Sequence, residues 1–189
     1  MIARICVYCG SSRGGDRVYA DAARELAAVL VNNSIELVYG GATKGTMGIL
    51  ADAVLERGGV VHGVIPKLLE EKEIAHTGVT ELHVVSSMHE RKSMMAALSD
   101  GFIALPGGFG TLEELIEMVT WGQLQFHEKP CGVLNINGYF DKLLEFLDHM
   151  QEEQFLSAEN RAIILADTSA AALLRRFDTY TPPTQEKWL

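Results

Sequence analysis

Three cysteines in 189 residues, Cys6, Cys9 and Cys131, are odd in number and one short of a four-cysteine zinc site. They build neither a disulfide framework nor a structural metal centre, and the expectation is a reduced compartment. No run of about 18 apolar residues occurs, and the first residues lack the basic segment and longer apolar core of a secretory signal. The expected protein is therefore cytoplasmic, with no membrane contact. Positive charge is also scarce: sixteen Lys and Arg stand against twenty-five Asp and Glu, a formal net charge of −9. That balance argues against a broad footprint on a nucleic-acid polymer or an anionic lipid surface. An anionic ligand must be met locally. Low-complexity runs and charge blocks are missing too. A chain of this length buries roughly 70% of its unfolded surface and holds a core without crosslinks.

What is present is a repeated alternation. Short β-branched and apolar runs at Ile5–Cys9, Glu36–Tyr39, Val60–Ile65, Leu82–Ser86, Phe102–Leu105, Gly132–Asn135 and Ile163–Ala166 read as strands. Helical patterns fall between them at Val18–Asn32, Met47–Arg57, Glu90–Ser99, Thr111–Gln125, Tyr139–Glu152 and Ser169–Phe177. Strand then helix, repeated, implies an α/β, Rossmann-like, doubly wound and mostly parallel sheet of about seven strands with helices on both faces. Residues 1–179 are expected to form a single domain, and 180–189, with Pro182, Pro183 and Trp188, a C-terminal tail. Cys6 and Cys9 have the spacing of a redox pair, but residues three apart on a strand point to opposite faces.

Ligands of open parallel sheets bind beyond the carboxyl ends of the strands, so the loops after strands carry the interest. Three are rich in glycine: Gly10-Ser11-Ser12, then Gly40 to Gly48, then Pro106-Gly107-Gly108. Glycine before a helix lets backbone approach a ligand, and the helix start offers free N–H groups and a positive dipole end. Gly41, Gly45, Thr46 and Met47 are candidates for a phosphate loop. The spacing of Gly40 and Gly45 is that of a P-loop, but Thr46 stands where its lysine belongs, and Gly-x-Gly-x-x-Gly does not occur there. A nucleotide triphosphatase is not expected. Thr111-Leu112-Glu113-Glu114 reads as a capping box, with Thr111 as N-cap and Glu114 at the third helical position. Glu117 and Thr120 follow along the same helix. After the fourth strand, Arg91 and Lys92 are adjacent basics near a helix start, where the dipole favours acids. Their placement suits the clamping of a phosphate or carboxylate.

The stretch Pro106-Gly107-Gly108-Phe109-Gly110-Thr111-Leu112-Glu113-Glu114 resembles the PGGxGTxxE signature of the LOG ("lonely guy") family, cytokinin riboside 5′-monophosphate phosphoribohydrolases often labelled lysine decarboxylases. The likeness continues through Cys9-Gly10-Ser11-Ser12, Gly63-Val64-Ile65-Pro66-Lys67, Glu73-Ile74, Met88-His89-Glu90-Arg91-Lys92 and Thr120-Trp121-Gly122-Gln123-Leu124. The family's GGGxxGLMG loop is altered here at Ala42 and Thr46. The resemblance implies hydrolysis of the N-glycosidic bond of a purine nucleoside 5′-monophosphate to free base and ribose 5-phosphate, without metal or organic cofactor. It implies substrate contacts from Glu73, Arg91, Lys92, the stretch Gly108, Phe109, Gly110, Thr111, Leu112, Glu113 and Glu114, and Thr120. Arg91 and Glu114 are its catalytic pair, and a homodimer is its assembly.

The chemistry agrees with that expectation. Cleavage at ribose C1′ passes through an oxocarbenium-like state, which a carboxylate stabilises; Glu114 is the choice, with Glu113 or Glu117 open as the group that handles water. Arg91 either secures the phosphate or polarises the leaving base. Lys67 and Lys92 lack the context of a Schiff-base lysine. The alternative is a nucleotide-binding or carrier module that uses the same loops without hydrolysis.

Overall fold

Valine, isoleucine, leucine and aromatic side chains dominate seven short segments: Arg4–Tyr8 (β1), Glu36–Tyr39 (β2), Val61–Pro66 (β3), Glu81–Val85 (β4), Gly101–Ala104 (β5), Cys131–Leu134 (β6) and Ile164–Asp167 (β7). In the computed structural model of the chain, which describes residues 2–73 and 75–183, they pair into one parallel sheet of order β4-β3-β2-β1-β5-β6-β7. Every residue of β3, β5 and β6 is buried. That is the pattern of a parallel sheet covered on both faces, and it explains why these segments read as continuous apolar runs.

Helices Arg17–Asn32 (α1), Gly45–Leu55 (α2) and Ala170–Asp178 (α8) cover one face, where Leu26, Leu30, Leu50 and Leu173 meet Ile5, Val7 and Leu37. Met88–Leu98 (α4), Phe109–Gln123 (α5) and Asp141–Glu152 (α6) cover the other, where Met95, Leu115, Met118 and Leu147 meet Cys6, Val38 and Phe102. Cys6 and Cys9 pack into these two different layers. All three cysteines are free and buried, and burial pushes their thiols up, Cys9 and Cys131 to about 12, so none is poised as a nucleophile.

The expected strands match the observed ones to within one residue. Helix starts fit less well: α2, α4 and α5 each begin two residues before the expected start, and α6 begins two residues after it. Two short helices, Lys67–Glu73 (α3) and Ala158–Arg161 (α7), were not expected; α7 is capped by Ser157, whose hydroxyl accepts from Asn160 N. The side chain of Glu73 and the whole of 184–189, Trp188 included, lie outside the described residues. Among the described residues no helix is long and apolar enough to cross a membrane.

Candidate active site

The strand order reverses between β1 and β5, so the loops that leave their carboxyl ends face each other. They touch at their glycines: a Cβ built on Gly10 would stand 3.5 Å from the Cα of Gly107. Beside this contact lies a cavity of about 200 Å³ walled by Gly10 and Ser11, Met47, Arg91, the Gly108–Thr111 segment and Glu114. A neighbouring hollow of about 260 Å³ shares Gly10, Ser11 and Gly108 with it and adds Tyr19 and Tyr139.

Helix α5 supplies most of the site. It starts at Phe109 with Gly108 as N-cap, and no side chain caps it. This corrects the expected capping box: Thr111 is the third helical residue and buried, and Glu114 lies in the second turn. Glycine at 107 is what lets the helix begin early, because a Cβ there would overlap the Thr111 hydroxyl. Gly108 O accepts from Leu112 N at 3.3 Å, while the N–H groups of Phe109, Gly110 and Thr111 meet no backbone acceptor among the described residues. They form an open, positively polarised helix start at the cavity. Leu112 instead packs into the layer under α5.

The other glycine loop behaves differently. Gly10 O accepts from Thr46 N at 3.0 Å and from Met47 N at 3.3 Å, and Gly10 N donates to Thr46 Oγ1 at 3.0 Å. The start of α2 is thus already occupied by the β1 loop. Gly45 sits at φ +66° against Ser11, a place only glycine fills without strain. Of the four candidates for a phosphate loop, Met47 alone reaches the cavity; Gly45 and Thr46 join α2 to the β1 loop behind it, and Gly41 packs against Val64 and Ile65 of β3.

Arg91 and Lys92 owe their positions to a capping pattern that the sequence contains at Ser87-Met88-His89-Glu90. Ser87 Oγ accepts from Glu90 N at 3.1 Å, and Glu90 Oε2 accepts from Ser86 N at 2.7 Å. Arg91 then points inward and is buried, donating from Nε to Val64 O at 3.1 Å and from Nη2 to Gly40 O at 3.0 Å. The carbonyls of Val64 in β3 and of Gly40 just after β2 fix the guanidinium, Nη1 approaches Met88 Sδ at 3.8 Å, and the side chain lines the cavity. Lys92 points elsewhere, 2.6 Å from Glu113 Oε1 and 3.0 Å from Glu117 Oε2. Burial pulls the Lys92 ammonium down, the two carboxylates outweigh it, and the net shift is upward. The two basics are therefore not a joint clamp.

Glu114 forms no ion pair among the described residues. Burial pushes its carboxyl up to about 7, against the pull of Arg91 and Lys92 and with the help of Glu113 and Glu117. Thr120 is remote from this centre: its hydroxyl donates to Ile116 O at 2.7 Å, and it lines a separate apolar hollow of about 340 Å³ with Ile116, Phe146 and Met150. Tyr139 escaped sequence reasoning. Its hydroxyl donates to Gly107 O at 2.6 Å and its ring meets Tyr19 edge-on at 5.8 Å, bracing the glycine turn from outside.

Fold and site together define a Rossmann-like α/β protein whose cavity lies at the topological switch point, lined by an open helix start, the fixed Arg91 guanidinium and the unpaired Glu114 carboxylate. Residues 47–177 match the model of a family described as "Possible lysine decarboxylase". The chain is 52% identical over 183 residues, 97% of its own length and 82% of the relative's, to a probable cytokinin riboside 5′-monophosphate phosphoribohydrolase of Oryza sativa subsp. japonica. It is 51% identical over 95% of its length, and 84% of the relative's, to a cytokinin riboside 5′-monophosphate phosphoribohydrolase of Arabidopsis thaliana. The chain belongs to this family, the LOG family. Among solved structures, the molybdenum cofactor carrier protein of Chlamydomonas reinhardtii shares the fold at a TM-score of 0.69 and 18% identity, over 95% of this chain and 100% of that one. A molybdenum cofactor binding protein of Rippkaea orientalis does so at 0.67 and 18%, over 95% and 97%.

Proposed function

We propose that the protein hydrolyses the N-glycosidic bond of purine nucleoside 5′-monophosphates, AMP or an N6-modified AMP such as a cytokinin riboside monophosphate, releasing the free base and ribose 5-phosphate. The observation that carries this reading is the unpaired, half-buried Glu114 carboxylate sharing one small cavity with the fixed Arg91 cation and the open start of α5. The names borne by relatives at about half identity support it.

In this mechanism the N–H groups of Phe109, Gly110 and Thr111 receive the phosphate, and that binding energy holds C1′ over Glu114. As the bond from C1′ to the base nitrogen breaks, positive charge grows on the ribose and the Glu114 carboxylate stabilises it. Water adds to C1′ and gives its proton to Glu114, whose raised basicity suits it to that step; the proton then passes to the departing base nitrogen, so the base leaves neutral and the carboxylate is restored. Glu113 and Glu117 are engaged by Lys92, which leaves Glu114 as the carboxylate free to act. Arg91 orients the nucleotide, and no cofactor enters the scheme.

The decisive experiment incubates the protein with AMP and with N6-prenylated AMP and measures free base and ribose 5-phosphate. Release of both products from either nucleotide is the expected result. Binding without cleavage of either would replace the hydrolase by a nucleotide carrier.

A homodimer completes the proposal. Ile116 and Phe146 are exposed in the hollow beside Thr120, an apolar face that a second copy would cover. Phe146→Glu should shift the mass measured by light scattering from dimer to monomer. In this reading residues 1–179 are the single catalytic domain and 180–189 its C-terminal tail.

A further inference from the structure

At the opposite end of the sheet from the cavity, four side chains from three neighbouring strands gather on one face. Glu36 opens β2, His62 lies second in β3, and Glu81 and His83 stand two apart in β4, so period-2 alternation turns all of them to the same side. His62 is buried, with Nε2 2.9 Å from Glu36 Oε2 and Nδ1 3.1 Å from Glu81 Oε2. Glu36 is itself held by Arg4 Nε at 2.6 Å. His83 Nε2 lies 3.4 Å from the same Glu81 oxygen, is shielded from solvent, and makes no hydrogen bond among the described residues.

These contacts do not balance for a neutral histidine. An imidazole carries one N–H, so with carboxylate oxygens at both nitrogens, one lone pair of His62 always faces a lone pair of Glu36 or Glu81. An added proton or a metal ion must lie at this cluster. A proton on His62 would satisfy that gap but would leave His83 Nε2 without a partner. A metal ion satisfies both. With Glu36 accepting from Nε2–H, His62 presents a bare Nδ1 toward Glu81 and His83, the orientation that a carboxylate behind a histidine imposes at metal sites.

We propose that His62 Nδ1, Glu81 Oε2 and His83 Nε2 form a binding site for a divalent transition-metal ion of the zinc class, with Glu36 orienting His62 and a water completing the coordination. The spacing fits. Bonds of about 2.0–2.1 Å in a tetrahedron set ligand atoms about 3.3 Å apart, and the two pairs that share Glu81 Oε2 stand at 3.1 and 3.4 Å. The three ligand atoms all lie within 4.8 Å of one another. Two imidazoles and one carboxylate suit zinc, cobalt or nickel rather than magnesium or calcium, which prefer all-oxygen shells. The ion would tie edge strand β4 to β3, and through Glu36 to β2, remote from the hydrolytic cavity.

The test uses the full chain stripped with a chelator and titrated with Co²⁺ and with Zn²⁺. One ion should bind per chain, the cobalt form should show the visible d–d bands of a four-coordinate site, and Zn²⁺ at roughly hundredfold excess over its dissociation constant should raise the melting temperature by about 5–10 °C. Mg²⁺ should do neither. His83→Ala and Glu81→Gln, both at partly exposed positions, should each weaken binding at least about tenfold without loss of fold, and Glu36→Gln by about 10–100-fold. Nucleotide cleavage should be the same in the stripped and loaded protein. No saturable binding, or equal binding by the His83→Ala and Glu81→Gln variants, would overturn the site and leave a proton on His62 as the bridging cation. Either result is independent of whether the protein hydrolyses nucleotides.

Discussion

Arg91 Nη2 donates to Gly40 O at 3.0 Å, and the same guanidinium fills the space where a Cβ on Gly40 would stand. The first residue after β2 is thus shaped around a side chain that arrives from α4. The glycine serves the arginine, and only through it the ligand.

Gly40→Ala should therefore act as a displacement of Arg91. A shift of about 1 Å in a positioning group costs about 100-fold in rate, while overpacking at one methyl costs about 1–3 kcal/mol of stability. Steady-state kinetics with AMP should show the fall mainly in kcat/KM, with a cooperative melt retained. Wild-type turnover in this variant would separate Arg91 from the chemistry.

Glu114→Gln should remove turnover by about 100–1000-fold, the size of the loss when one preorganised electrostatic partner of a transition state is removed. Because α5 starts at Phe109 and Glu114 caps nothing, the helix itself should be unaffected. The sign of the stability change follows from the raised carboxyl. A group whose folded pKa is about 7 binds its proton more tightly in the folded state, so its ionised form destabilises the fold above that pH. The variant should gain on the wild type between pH 5 and pH 8, by on the order of 2 kcal/mol, measured as urea midpoints.

The same carboxyl sets a pH profile. Hydrolysis needs it ionised, so kcat/KM for AMP should rise about tenfold per pH unit on the acid side and level off above the Glu114 value of about 7. A flat profile between pH 5 and pH 8 would remove the assignment.

Lys92 offers a finer test. It pulls the Glu114 carboxyl down, whereas Glu113 and Glu117 push it up. Lys92→Met should move the acid limb to higher pH and lower the rate at pH 7 by about 3–10-fold, with the plateau at pH 9 nearly unchanged. Combined with Glu117→Gln, the limb should return part of the way. Loss at every pH alike would show Lys92 to touch substrate instead.

Phe109 is 94% exposed at the rim of the cavity. Stacking of a base on an aromatic ring contributes about 1–3 kcal/mol, so Phe109→Ala should raise KM for AMP by about 10-fold and change kcat little.

Much of this architecture was legible in the residues because a parallel sheet buried on both faces leaves a strong imprint: β3, β5 and β6 are apolar at nearly every position, and their limits were set to within one residue. Helix starts were harder. At Thr111 a side chain with the right chemistry sat three residues before a glutamate, and the pattern misled because Gly107 and Gly108 let the chain enter the helix earlier with bare backbone. At Ser87 the same pattern was real but hidden among charged residues. Lys92 was grouped with Arg91 by adjacency, although neighbours on a helix face directions about 100° apart, one into the cavity and one onto Glu113 and Glu117. The occupied start of α2 could not be read at all, since its partner, Gly10 O, is a backbone atom 36 positions away. His62, Glu81 and His83 likewise come together only through strand register.

That backbone oxygen has one more consequence. Gly10 O takes Thr46 N and Met47 N, so of the two helices that begin beside the cavity one is closed from within. Cofactors made of two joined nucleotides carry a diphosphate bridge and a second ribose, and they need room on both sides of such a crevice. In the proposed mechanism a single open amide cluster takes one terminal phosphate and gives the substrate a direction, head at α5 and sugar toward Glu114. The proposed substrate, a short, singly phosphorylated nucleotide, is the kind of ligand that an internal plug between two loops would favour over a dinucleotide, before any base is read.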